Sequence, residues 1–210
     1  LAEQNLIALA KPYTLTGDLR IAAMIDALHE IDDKAISGDV VECGVWRGGN
    51  IVLARKICPD RICWLYDTFA GMTEPTEYDV SRKGRLAVDK WKTHRDNWCA
   101  ASIGEVESVL QETGTFDASK LRFVVGDVCE SLHYPEHIPE NIALLRLDTD
   151  WYFSTKLELE ILYPKLASGG VLIVDDYGHW NGARKAVDEY FNGSVSFVEI
   201  DYTAIKIVKP

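Results

Sequence analysis

At 210 residues, with 47% apolar and 26% charged side chains, the chain has the material for one α/β domain spanning 1–210 with a full core. No apolar run approaches the ~20 residues of a membrane-crossing helix. A net charge of −11, with no Lys/Arg-rich block, disfavours nucleic acid or an anionic bilayer as partner. A neutral or cationic small molecule is easier to accommodate. The five cysteines (Cys43, Cys58, Cys63, Cys99, Cys129) are scattered without zinc or redox spacing, and read as reduced thiols of a cytoplasmic protein.

Residues 1–16 read as an irregular lead-in around Pro12. A helix follows, with Leu19, Ala22, Ile25 and Leu28 at helical spacing and Asp18 near its start. Val40–Cys43 is the first strand. It leads into the turn Gly44-Val45-Trp46-Arg47-Gly48-Gly49-Asn50 and a helix from Ile51 to Ile57. A strand, a glycine-rich turn and a helix form a nucleotide-cradling arrangement that fits NAD, FAD or S-adenosylmethionine. The G-x-G-x-x-G pyrophosphate fingerprint is missing. Glu42, two residues before Gly44, suits a cationic ligand such as a methionyl ammonium better than a diphosphate. The second strand, Ile62–Tyr66, ends in Asp67, about 20 residues past the glycines, where an acidic residue binds ribose hydroxyls. Capping of the turn Thr68–Gly71 is the plainer role for it.

Residues 72–102 change in character: charges, Pro75, Tyr78, Trp91 and Trp98 occur without clear period. Such an excursion reads as an active-site lid or as a helical packing insertion. A helix is predicted over Gly104–Thr113 and a third strand over Leu121–Val125. Asp127 follows, either at the adenine edge or as a cap. His133 and His137 read as solvated.

Two acidic groups follow apolar runs. Ile142–Leu147 ends in Asp148-Thr149-Asp150, and Val171–Val174 ends in Asp175-Asp176. Both runs read as buried parallel strands, separated by a helix over Thr155–Leu166 that stops at Ser168-Gly169-Gly170. If neighbours, their ends lie about 4.8 Å apart and gather four carboxylates at the sheet's ligand-binding edge. Asp150 and Asp176 are also placed to cap helices, but two such clusters on consecutive strands point to a metal or catalytic role. A hard cation such as Mg²⁺ takes oxygen ligands of this kind. Arg146, inside the strand, needs a partner that the sequence does not name. His179 lies close to the acidic group. A helix over Gly182–Phe191 precedes a hairpin, Val195–Ile200 with Thr203–Val208. Five β/α units and an antiparallel hairpin are the element order of the class I methyltransferase fold, a Rossmann-like, seven-stranded, mostly parallel sheet.

The stretches VVECGVWRGGN, YDTFAGM, LRLDTDWYFST, LYPKLASGGVLIVDDYGHW and ARKAVDEYF together resemble the macrocin O-methyltransferase family. The resemblance runs from KPYTLT to the last helix and is weakest over 72–102. It implies a transferase dependent on S-adenosylmethionine and Mg²⁺ that methylates a sugar hydroxyl in natural product biosynthesis. Carried over by position, Asp148, Asp175 and Asp176 are the metal ligands and Asp150 is the general base. Glu42, Gly44, Trp46, Arg47, Gly48, Gly49, Asn50, Asp67, Thr68, Asp127 and Asp148 make up the cofactor site. The expected partner is a small molecule with a hydroxyl acceptor, and a homo-oligomer is compatible with the chain. A catechol-type acceptor, a non-catalytic cofactor-binding scaffold and a nicotinamide oxidoreductase are the competing readings.

Overall fold

A computed structural model describes residues 2–94 and 97–210 of the chain. In order, its elements are α1 (Glu3–Ala10), α2 (Asp18–Asp33), β1 (Asp39–Cys43), α3 (Gly49–Ile57), β2 (Cys63–Asp67), α4 (Ala87–His94), α5 (Ile103–Glu112) and β3 (Leu121–Val125). They continue with α6 (Val128–Ser131), β4 (Ile142–Leu147), α7 (Tyr152–Ile161), β5 (Leu166–Val174), α8 (Asn181–Phe191), β6 (Val198–Glu199) and β7 (Ile205–Val208). The strands form one seven-stranded sheet in the order β3-β2-β1-β4-β5-β7-β6. β1 to β5 are parallel, and β7 runs antiparallel to both β5 and β6. The mostly parallel sheet with its antiparallel end is what the sequence led us to expect.

The strands are apolar on both faces because helices cover both. Val40, Leu144, Val171 and Ile173 pack with α1, α2, α3 and α5. The alternate residues Val41, Leu145, Leu172 and Val174 pack with α6, α7 and α8. This period of two places Glu42 and Arg146 on the first of these faces, beneath α2. Helix α5 starts at a reciprocal cap: Glu105 N donates to the Ser102 hydroxyl, and Ser102 N donates to the Glu105 carboxylate.

Three local readings are corrected. The lead-in is helical: α1 buries Leu6 and Ala10 against the sheet layer, followed by a 3₁₀ turn at Lys11–Tyr13. The glycine pair at 169–170 does not end the chain's approach to the sheet. α7 has already stopped at Ile161, and β5 runs through Ser168-Gly169-Gly170, where Gly169 N donates to Lys209 O and Lys209 N to Gly170 O. The outer hairpin strand is two residues long rather than six.

The segment 72–102 contains α4 and is pinned to the rest of the chain; residues 95 and 96 of it lie outside the described residues. Its Asp79 is fully buried and accepts from Tyr152 N at 2.8 Å and from Thr76 N at 2.7 Å. A carboxylate at the first turn of α7 satisfies an amide that the helix leaves free. Ser81 bridges to Trp180, and Trp151 stacks edge-on against Trp98 and Trp180. No helix among the described residues is long and apolar enough to cross a membrane.

Candidate active site

Arg146 on β4 is 2% exposed and lies level with Glu42 on β1 and Ile173 on β5 in the strand register. A guanidinium so deep in a protein needs carboxylate partners. Nη1 donates to Glu42 Oε1 and to Asp148 Oδ2, each at 2.8 Å, and Nη2 donates to Asp175 Oδ1 at 2.5 Å. Asn50, in the first turn of α3, also donates to Glu42 Oε1, at 2.8 Å. From α2, Arg20 pairs with the other oxygen of Asp175 and, at 3.1 Å, with Asp201. One buried cation therefore ties three strand ends together.

The four aspartates are not equivalent. Asp175 has both oxygens engaged by arginines. Asp148, Asp150 and Asp176 instead each bring one carboxylate oxygen to within 4.8 Å of the other two. The buried Asp176 Oδ2 has no hydrogen-bond partner. Burial, reinforced by the neighbouring carboxylates, raises the pKa values of Asp148 and Asp176 well above the usual range. Burial also lifts Asp150 to about 7, against the hydrogen bond from Asp176. Asp150 adopts φ 68°, a left-handed conformation that Asp tolerates better than most residues.

Thr149, between two of these carboxylates, is held from behind. Its hydroxyl lies 2.9 Å from Glu158 Oε1 and 2.9 Å from the Ser154 hydroxyl. Glu158, on α7, is fully buried, and desolvation raises its pKa to about 8. Folding therefore takes up a proton at Glu158 between its ordinary pKa of 4.5 and about 8. Its stabilising share is complete below the lower value and is lost as pH rises through the upper one. The neutral isostere Glu158→Gln has no proton to lose, so its Tm relative to wild type rises by several degrees between pH 6 and pH 9. Scanning calorimetry at both values checks this; parallel Tm curves would refute it.

On the other side of the glycine turn, Asp67 Oδ2 accepts from Val45 N at 2.8 Å and Trp46 N at 3.0 Å, and Oδ1 accepts from Phe69 N at 2.8 Å. It caps its own turn and also pins the glycine turn. Gly44 has φ 84°, and a Cβ there would stand 2.0 Å from Asp148 O, so only glycine lets β1 and β4 exit this close together. Thr68 donates to Gly71 O at 2.6 Å, and Asp127 caps α6 by accepting from Cys129 N at 2.8 Å. Glu42 Oε2 is buried without a partner, and burial, opposed by Arg146, raises its pKa to about 7.

A cavity of about 350 Å³ opens at this edge of the sheet. Glu42, Gly44, Trp46, Asn50, Asp67, Thr68 and Asp127 line it, as do Asp148, Asp150, Asp175 and Asp176. Three expected cofactor residues do not. Arg47 lies over the rings of Tyr13 and Trp46, at 5.5 and 5.7 Å. Gly48 caps α3, and Gly49 makes room for the backbone of Tyr13, which a Cβ would meet at 2.8 Å. Gly49 thus admits the chain's own N-terminal segment, whereas a Cβ on Gly48 would meet Val106 of α5 at 3.1 Å. Arg20, Lys90 and Tyr202 line the cavity without having been anticipated; His179 lines it as weighed, and Trp98, from the excursion read as a lid or packing insertion, lines it as well. No sequence signal marks Arg20 or Lys90, and only the fold brings them to the cavity.

Comparison with known proteins gives this geometry a context. The family model for macrocin-O-methyltransferase (TylF) matches residues 8–206. Demethyldecarbamoylnovobiocin O-methyltransferase of Streptomyces niveus is 35% identical over 187 residues, covering 86% of this chain and 68% of the relative. The 8-demethyl-8-(2,3-dimethoxy-alpha-L-rhamnosyl)-tetracenomycin-C 4'-O-methyltransferase of Streptomyces olivaceus is 31% identical over 204 residues, covering 92% and 74%. The solved structure of the O-methyltransferase NovP superposes with a TM-score of 0.82 at 30% identity, over 94% of this chain and 82% of that one. With a class I methyltransferase fold and a matched span of this length, the chain belongs to the macrocin-O-methyltransferase family and is an O-methyltransferase.

Proposed function

We propose that this enzyme moves the methyl group of S-adenosylmethionine to one of two adjacent hydroxyls of a small molecule, a sugar of a natural product, with the help of a divalent cation such as Mg²⁺. The observation that supports this most is the convergence of Asp148, Asp150 and Asp176 in the same cavity wall as Glu42 and Asp67. An all-oxygen donor set suits a hard cation, and the unpartnered Asp176 Oδ2 is an acceptor in want of one. Asp148 and Asp176 would hold it. When bound, such an ion would supply positive charge that makes a nearby hydroxyl more acidic. We assign Asp175 to anchoring Arg146 and Arg20, since both of its oxygens are taken.

The remaining roles fall to the chain itself. Asp150 accepts the hydroxyl proton on its carboxylate. The free Glu42 Oε2 suits the methionyl ammonium, and Asp67 keeps lone pairs for ribose hydroxyls beside the amides it binds. Methyl transfer from a sulfonium is an in-line displacement, so most of the gain lies in alignment, and positioning can supply several kcal/mol. The segment 72–102 acts as the lid that excludes water. The name of the tetracenomycin relative includes a rhamnosyl group, which supports a sugar acceptor. A catechol is the second reading, favoured by Trp98 and Trp180 in the lining.

Titration calorimetry with S-adenosylmethionine and S-adenosylhomocysteine tests the cofactor. Both should bind with micromolar Kd, and EDTA should abolish turnover on a sugar or catechol panel while leaving S-adenosylhomocysteine affinity within about threefold. Absence of binding with and without Mg²⁺ would overturn the proposal.

A further inference from the structure

The turn Asp148-Thr149-Asp150 carries two of the three clustered carboxylates. The Asp150 side chain hydrogen-bonds to Asp176, a group that it also repels, so its placement falls to the backbone of the turn, at φ 68°. Thr149 gives this turn a handle. On α7, Ser154 and Glu158 stand four residues apart and share one face. Both meet the Thr149 hydroxyl: Ser154 Oγ lies at 2.9 Å, Glu158 Oε1 at 2.9 Å and Oε2 at 3.1 Å. The Ser154 hydroxyl donates in turn to Trp151 O at 3.1 Å, and Trp151 N donates to Thr149 O at 2.8 Å. From β1, the Cys43 thiol hydrogen-bonds to Glu158, while Cys43 O accepts from Asp148 N at 2.8 Å. Thr149 and Ser154 line the cavity, and Glu158 is fully buried behind them.

Protons decide how this chain of groups runs. Contacts link Glu158 to Thr149, Thr149 to Ser154, and Ser154 to Trp151 O, and each hydroxyl has one proton to give. An ionised Glu158 takes the Thr149 proton, and Ser154 is left to choose between Thr149 and Trp151 O. A protonated Glu158 donates to Thr149, Thr149 to Ser154, and Ser154 to Trp151 O, so every contact is made. Desolvation, with Asp127 adding a like charge, raises the Glu158 pKa to about 8, and the protonated form is the one present at neutral pH. A buried polar network satisfied throughout is rigid. We infer that Glu158 is a positioning residue for methyl transfer: acting through Thr149 and Ser154, it fixes the 148–150 turn so that Asp150 meets the acceptor hydroxyl and Asp148 faces the cation. This rests on the roles proposed above for Asp148 and Asp150.

Glu158→Leu and Thr149→Val delete the chain of hydrogen bonds at similar volume, whereas Glu158→Gln keeps a donor toward Thr149. The first probe is Mn²⁺ alone, its free concentration read by electron paramagnetic resonance. Its Kd should rise about tenfold in Glu158→Leu and Thr149→Val and stay within about threefold of wild type in Glu158→Gln. The second is turnover of S-adenosylmethionine with Mg²⁺ and with catechol or methyl α-L-rhamnoside as acceptor. There kcat should fall about 10–100-fold in the first two variants and recover in the third, with the KM for S-adenosylmethionine unchanged throughout. Should Glu158→Leu fail to fold, Thr149→Val carries the test, with circular dichroism as the check. Wild-type Kd and kcat in Thr149→Val, or a loss in Glu158→Gln as large as that in Glu158→Leu, would overturn the inference. A wild type that neither binds Mn²⁺ nor turns over strikes the roles proposed above instead. Backbone amide exchange at residues 149–151 then decides: it should quicken about tenfold in Thr149→Val and not in Glu158→Gln, and equal rates would sink the inference.

Discussion

Replacing Asp150 by Asn lowers turnover by about 10²–10⁴-fold, the range associated with loss of a general base, and leaves S-adenosylhomocysteine affinity nearly unchanged. The amide has the carboxylate's shape but cannot take a proton. The variant should also melt no lower than wild type. Asn tolerates the left-handed backbone at φ 68°, and it removes one of three crowded carboxylates that burial and mutual repulsion burden. A drop in activity without a drop in Tm is therefore the signature to look for, by steady-state kinetics and thermal melts on one preparation. Full activity in Asp150→Asn would remove it as the base. With Asp150 in the proposed role of base, wild-type activity is expected to rise with pH through its pKa, because a general base works deprotonated. A bound cation favours the charged form, so that limb lies below the value of about 7 that the protein alone sets.

Arg146→Met has the largest effect on stability. Removing one partner from a buried charge network costs about 3–5 kcal/mol, because the other charges stay behind. Here Glu42, at 1% exposure, loses the cation that opposes its desolvation, and Asp175 loses one of its two arginines. For a chain of this size the expected fall in Tm is roughly 10 °C. The sign of the pH dependence follows from Glu42. Its pKa already lies above the unfolded value and rises further without Arg146, so the folded form holds a proton that the unfolded form has released. Stability is then lost as pH rises, and the gap from wild type is wider at pH 8 than at pH 6. Melting curves at the two values decide it. An equal or smaller gap at pH 8 would show that Glu42 draws its compensation from elsewhere.

Much of the sheet could be read directly because each parallel strand is a short apolar run closed by glycine or a carboxylate. Val40–Cys43, Leu121–Val125 and Ile142–Leu147 carry that signature, and their ends gather at one edge as expected. The partners of Arg146 could not be read. β1 and β4 are neighbours in space but lie a hundred residues apart in sequence, with two β/α units between them. α1 escaped notice because only Leu6 and Ala10 are buried, too few for a visible stripe, and Pro12 follows it. Gly169-Gly170 reads as a helix stop, yet the pair lies inside β5. The backbone of Lys209, forty residues on, decides the matter. At the site, residue types at strand ends pointed to Asp148, Asp150 and Asp176, but nothing local distinguished Asp175, whose arginine partners come from α2 and β4. Arg47, Gly48 and Gly49 belonged to a recognisable turn, yet the N-terminal segment packs beside Arg47 and Gly49, and α5 beside Gly48.

The three indoles of Trp98, Trp151 and Trp180 sit edge to face, with ring centroids 5.7 and 5.2 Å apart, and Trp98 and Trp180 line the cavity. Rings this close share their excited states, so the enzyme carries a label-free optical gauge of its own occupancy. A molecule entering the cavity changes the surroundings of a chromophore, which allows acceptors to be ranked by emission before any product is isolated.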